Sequence, residues 1–170
     1  MALYLIGNGP QQTTASFAAV TTGTSIKTML QVKPSATIVA KIKAWGFSID
    51  GFVAALPAKI ELIETDVAAT VTASVAADIT KLDGNALMGG DPTTNLIQVG
   101  TTSTGYTSTS EGSITAVRNL DGPRFWPPNQ EFNMWFPLGQ EPIIQINKFA
   151  RIRVLFGTAV NMYCWMVLEL

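Results

Sequence analysis

Residues 149–168 read FARIRVLFGTAVNMYCWMVL. Side chains on a strand point alternately to its two faces. In the first half Ile152, Val154 and Phe156 share one face, and Arg151 and Arg153 share the other. Residues 157–159, Gly-Thr-Ala, interrupt the run and read as a hairpin loop. The chain then resumes with Met162, Cys164, Met166 and Leu168 on one face and Tyr163, Trp165 and Val167 on the other. A period of two over successive runs marks strands. The second of these strands is apolar on both faces, although the outer face of an antiparallel sandwich normally meets water. That outer face needs a cover: the N-terminal segment, another subunit, or loops of the same chain.

Similar runs recur upstream. Residues 25–32, 37–49, 59–65, 113–118 and 131–136 carry strand composition, with Ile38, Ala40, Ile42 and Ala44 on one side of the second and Phe132, Met134 and Phe136 on one side of the last. Gly46 suggests a bulge or bend inside its run, and Asp50-Gly51 is a turn signal. Residues 66–81 alternate Val and Ala with Thr, which favours a strand and leaves a short helix open. Residues 82–95 read as a loop, 96–100 and 143–146 as short strands, and 101–112 as a polar loop or a solvent-facing strand. Residues 121–128 read as a Pro-bracketed loop bearing Phe125 and Trp126. About eight to ten short strands with regular turn signals indicate an all-β fold, an antiparallel β-sandwich of jelly-roll type. Residues 1–24 contain no charge and read as an extended N-terminal arm, leaving 25–170 as a single sandwich domain. Leu3, Tyr4, Leu5, Ile6 and Phe17 of the arm favour burial, which a neighbouring subunit would provide.

The composition narrows function. The 170 residues are 47% hydrophobic and 14% charged, with a net charge of −1, where soluble domains average about 25% charged. Some apolar surface is therefore expected to meet other protein. Near-zero charge offers no attraction to nucleic acid or anionic lipid. No apolar run approaches the roughly 18 residues of a membrane span, and no signal-peptide pattern opens the chain; the protein is expected to be soluble and made in a cytoplasm. The sequence contains no histidine and one cysteine, Cys164. His-based nucleophile systems, internal disulfides and CxxC sites are thereby excluded, and a zinc site is disfavoured.

The remaining candidates for chemistry are sparse. Glu61 and Glu64 fall on opposite faces of a strand and make no glycosidase pair. A hydrolase would need a dyad from distant strands, with Glu131 or Glu141 as members. Asp78, Asp83 and Asp91 flank a loop without EF-hand spacing. No phosphate-cradling glycine motif is present. No enzyme, cofactor or metal is therefore expected. Arg151 and Arg153 form either a basic contact patch or a solvated strand face. Phe125 and Trp126, with Trp135 nearby, form either an exposed aromatic contact, for protein or for stacking on sugar, or a cap on the sandwich. With Tyr163 and Trp165 and the arm residues, these are the candidate interface.

The opening MALYLIGNGPQQTTASFAAVTTGTSIKTMLQV, the segments WGFSIDG, ELIETDVAATVTA and GYTSTSEGS, and the ending FARIRVLFGTAVNMYCWMVLEL resemble small structural proteins of tailed bacteriophages. The resemblance covers nearly the whole chain and includes no catalytic motif. It implies a β-rich head decoration, or cement, protein on the capsid surface of the virion. Such a protein binds the major capsid protein and often trimerises. The alternatives are a trimeric binding module for host glycans and a tail or connector component.

Overall fold

The computed structural model describes residues 2–11, 14, 20–50, 57–82, 96–127 and 129–170. They form strands β1 (Leu3–Gly7), β2 (Val20–Thr21), β3 (Lys27–Val32), β4 (Ala40–Asp50), β5 (Ala58–Thr65), β6 (Thr70–Ala73), β7 (Ile79–Lys81), β8 (Gly105–Ser110), β9 (Val117–Trp126), β10 (Glu131–Trp135), β11 (Ile143–Ile144), β12 (Phe149–Leu155) and β13 (Asn161–Glu169). A single 3-10 turn, Ala76–Asp78, precedes β7. Two antiparallel sheets pack face to face as a sandwich. One runs β10-β4-β13-β1-β7, with β11 beside β4 and β2 beside β13. The other runs β6-β8-β3-β12-β5-β9. Among the described residues no helix is long and apolar enough to cross a membrane.

The alternation decides which side chains enter the core. Met162, Cys164, Met166 and Leu168 of β13 point inward beside Tyr4 and Ile6 of β1 and Ile42, Trp45, Phe47 and Ile49 of β4. Leu30, Val32, Ile60, Leu62, Ala150, Ile152 and Val154 meet them from the other sheet. Each fully buried aliphatic side chain contributes roughly 1.5–3 kcal/mol. At one corner Trp126 and Phe132 pack edge to face at 5.4 Å, and Phe47 stacks on Phe132 at 5.2 Å.

Several local expectations change in the structure. The run 149–168 does form two strands, but they do not pair with each other. β12 pairs with β3 and β5, whereas β13 pairs with β4 and β1. Residues 157–159 are therefore an arch between the sheets rather than a hairpin loop. Both strands keep their apolar faces on one shared core, which an arch achieves as well as a hairpin. The Pro-bracketed segment 121–126 is strand, not loop, and continues β9 along β5 through two register shifts. Residues 66–81 divide into β6, the 3-10 turn and β7. Residues 96–100 make only isolated bridges, Pro34 with Ile97 and Val99 with Thr104.

The N-terminal segment is also built into the sandwich where it is described. β1 lies between β13 and β7, and β2 pairs with the start of β13. The Asn8 side chain extends the pairing as a surrogate peptide: its Nδ2 donates to the Met162 carbonyl (3.0 Å) and its Oδ1 accepts from the Cys164 N–H (2.9 Å). Just before β13 the Thr22 hydroxyl accepts from the Val160 N–H at 3.1 Å. An uncharged, apolar N-terminus suits an inner strand as well as a docked arm. The burial expected from a neighbouring subunit is supplied, for Tyr4 and Ile6, by the core of this chain. Phe17 lies outside the described residues.

Candidate functional site

β13 occupies the middle of the seven-stranded sheet, so its second apolar face lies on the sheet's outer side. Register sets its neighbours there. Trp165 lies opposite Gly46 of β4 and Gly7 of β1, and Val167 lies opposite Ala44 and Leu5. Trp135, at the end of β10, extends the Ala44 row. The two glycines make room for the aromatic rings. A Cβ on Gly46 would sit 2.7 Å from Trp165 Cζ2, and one on Gly7 would sit 3.0 Å from the Tyr163 ring. The rings therefore lie across the sheet over bare backbone, the arrangement by which aromatics compensate strand glycines. The result is a groove of about 290 Å³ lined by Leu5, Leu82, Trp135, Tyr163, Trp165 and Val167. Val167 is buried at its floor, while Trp135 remains 60% exposed.

Charges stand only at the margin of this face. Lys43 Nζ lies 2.6 Å from Glu141 Oε1 and 3.6 Å from Glu169 Oε2. The hydrogen bond from Lys43, backed by backbone donors, pulls the Glu141 carboxyl down to about 2 and raises the Lys43 ammonium. Glu141 also accepts the Gly139 N–H at 2.8 Å, and the Gln140 N–H bonds the Pro137 carbonyl at 2.9 Å. The turn after β10 is thereby clamped to the rim, and it carries Leu138 at 91% exposure.

The outer side of the six-stranded sheet is built in the opposite manner. Arg151 is fully buried there. It donates to the carbonyls of Val67 and Glu111 and lies 3.4 Å from the Glu111 carboxylate. Burial lowers its guanidinium to about 10. Glu111 in turn accepts from the Thr28 N–H and hydroxyl, each at 2.6 Å. Gln31 bonds the Ala69 N–H at 2.8 Å. Around Arg151 this face is closed by the chain's own loops through polar groups, while Leu155 farther along β12 stays exposed. Arg153 is paired with Glu61 at 2.5 Å.

The candidate interface residues thus separate. Leu5, Tyr163 and Trp165 meet in the groove, and Leu3 shares its face at the edge. Tyr4 and Ile6 are core residues. Arg151 is withdrawn from any basic patch, because loops remote in sequence cover it. Trp126 packs 5.8 Å from Phe47 and forms part of the corner, while Phe125, its neighbour on β9, is 69% exposed on the other sheet. Leu82 and Leu138 escape sequence reasoning because neither belongs to a periodic run. Gly46 gives a signal, but its meaning depends on standing opposite Trp165, and register is not written locally.

Catalytic groupings do not assemble among the described residues. No three His, Cys, Asp or Glu side chains stand together as metal ligands. Glu61 pairs with Arg153, and Glu64 pairs with Arg118 at 2.8 Å. Asp78 accepts the Val75 N–H at 2.8 Å and the Gln11 N–H at 3.3 Å; Asp83 and Asp91 lie outside the described residues. The Cys164 thiol is buried in the core and its pKa is pushed up by burial, which makes it inert.

No family model, curated protein or solved structure matches this chain.

Proposed function

We propose that this chain is a structural protein of a phage virion: a decoration protein that assembles on the outer shell and braces the major capsid protein, with a trimer as the working unit. The observation that carries the proposal is the contrast between the two sheet faces. Around Arg151 one is closed by the chain's own loops with buried polar bonds, with Phe125 and Leu155 exposed singly farther along it. The other presents a groove of Trp, Tyr, Leu and Val that no described residue covers. Contiguous apolar surface of this kind marks protein contact, and its Trp and Tyr side chains are the types that dominate contact energies. The low content of charge and the resemblance to phage structural proteins support the same reading. Decoration acts by burying such surface repeatedly across a lattice, where linked copies gain avidity.

The test is uptake by expanded phage heads that lack the protein. Hundreds of copies per head and a higher temperature of head rupture are expected. Absence of uptake overturns the proposal, and a few copies per particle moves the protein to the tail or connector. Glycan stacking through Trp126 loses its basis, since that ring is packed against Phe47 and Phe132.

A further inference from the structure

We infer that the outer face of the seven-stranded sheet takes an extended segment of another protein, one that carries apolar side chains followed along its length by Lys or Arg. The inference rests on the reading of this face as an assembly surface and names the chemistry of what it meets.

The face changes character along its strands. Register sets its outward side chains in rows two residues apart. Leu5, Ala44, Trp135 and Val167 form one row, and Trp165 stands with Gly7 and Gly46 in the next; these two rows hold the groove. The row after them brings Tyr163 and Ser48 beside Glu131, and Asn161 then stands opposite Asp50. Ser48, Asp50 and Glu131 are exposed. Glu131 lies four residues before Trp135 on β10, about 14 Å along the strand. Groove and carboxylates therefore share one face and are separated along it.

Charge selects the partner. At the groove end Lys43 is 2.6 Å from Glu141 and 3.6 Å from Glu169, and Lys41 is 3.9 Å from Glu169. Two cations are thus matched by two carboxylates within the chain, and Asp50 and Glu131 are left over. Neither of these carboxylates makes an ion pair or a hydrogen bond among the described residues, which include all eleven Lys and Arg. The face carries −2 where the whole chain carries −1, so the remainder of the chain is net positive. Like carboxylates on adjacent rows repel, and a partner that brings cations relieves that repulsion. Nucleic acid or an acidic protein would add to it, and a second copy would bring two more unmatched carboxylates.

Size selects the form of the partner. The strands of the sheet run 5, 11, 9, 5 and 3 residues, which gives roughly 500 Å² in plan at about 3.4 Å per residue and about 4.8 Å between strands. A stable pairing of two globular surfaces takes about 800 Å² each. An extended segment needs less. Its side chains on one face repeat every second residue, which is the spacing of the rows. The pattern apolar-x-apolar-x-basic-x-basic therefore sets apolar side chains over Trp135, Trp165 and Val167 and cations over Glu131 and Asp50.

Fluorescence anisotropy of labelled peptides tests the inference. The probe is Leu-Ser-Leu-Ser-Lys-Ser-Lys. The controls are Leu-Ser-Leu-Ser-Glu-Ser-Glu and the mixed order Leu-Ser-Lys-Ser-Leu-Ser-Lys, each peptide being made in both chain directions. The better lysine peptide is expected to bind with a Kd below about 1 mM. It should bind at least about 3-fold more tightly than either control, as two exposed ion pairs supply, and that preference should shrink as salt is raised. An Asp50→Asn, Glu131→Gln variant should lose the preference for Lys over Glu and keep the wild-type circular dichroism spectrum and melting temperature, because both side chains are exposed. Trp135→Ala should weaken binding of the lysine peptide and leave its advantage over the glutamate peptide. Absence of binding by both lysine peptides at about 1 mM, equal binding of a control, or an unchanged preference in the double variant overturns the inference. The decoration reading fails separately: a protein with the expected peptide preference that expanded heads do not take up sinks that reading alone. Heads that take up the double variant as readily as the wild type sink the inference alone.

Discussion

Replacing Gly46 by alanine adds one methyl group at the point where the groove floor crosses β4. Two effects oppose each other. The substitution restricts the unfolded chain, which stabilises by about 0.4–1 kcal/mol when the new side chain fits. Here it does not fit. The Cβ would stand 2.6 Å from the Phe132 carbonyl oxygen and 2.7 and 2.9 Å from Trp165 Cζ2 and Cε2. The Phe132 oxygen is backbone of the adjacent strand β10 and cannot step aside, so the sheet must open or the Trp165 ring must lift. Overpacking of this kind costs about 1–3 kcal/mol. The net loss is about 1–2 kcal/mol, and at about 2–4 °C per kcal/mol for a chain of this length the melting temperature should fall by about 2–8 °C. Gly157→Ala is the control, since nothing lies within 4 Å of its Cβ position; it should be neutral or slightly stabilising. Calorimetry of both variants decides the matter, with tryptophan emission reporting the displaced ring. A Gly46→Ala protein as stable as the control would refute the placement of Trp165 over Gly46.

Three further outcomes are expected. Arg151→Ala should cost about 3 kcal/mol, because it leaves the Glu111 carboxylate without its buried partner, whereas Arg153→Ala on the half-exposed side should cost about 0–1 kcal/mol; urea melts separate the two. Trp126→Ala should destabilise by up to about 3 kcal/mol through the cavity it leaves beside Phe47 and Phe132, and a melt as stable as the wild type would deny Trp126 its place in the corner. Asp66, held by the Thr115 hydroxyl and the Ala116 N–H, and Glu141, held by Lys43, are both lowered to about 2 from 3.8 and 4.5. A lowered carboxyl stabilises fully above its unfolded value and loses that contribution as pH falls through its folded value. The melting temperature should therefore drop between about pH 4.5 and 2, and an Asp66→Asn, Glu141→Gln double variant should show a shallower drop in the same titration.

Strand identity was legible because alternation is local. Met162, Cys164, Met166 and Leu168 announce an inward face without knowledge of any partner, and the two-faced character of β13 already implied a covered outer side. Partner choice was not legible. Nothing in residues 157–159 states whether the next strand pairs with the last or crosses to the other sheet. Arg151 shows the same limit: a charge at alternate positions indicates solvent, yet Val67 and Glu111, distant in sequence, close over it. The prolines around Trp126 read as loop punctuation, yet β9 accommodates Pro123 on an edge, where a missing N–H costs no ladder bond. The groove itself follows from register, which sets Trp165 between Gly46 and Gly7 and aligns Trp135 with Val167.

The most direct test of the account is oxidative footprinting of Trp135 and Leu138 in the assembled protein and at high dilution. Both are expected to label fast in the dilute chain and, in the assembly, to slow towards the rate of the buried Trp45. Equal labelling of Trp135 and Leu138 in the two states would contradict it, because the outer face of the seven-stranded sheet would then be open to water in the working form.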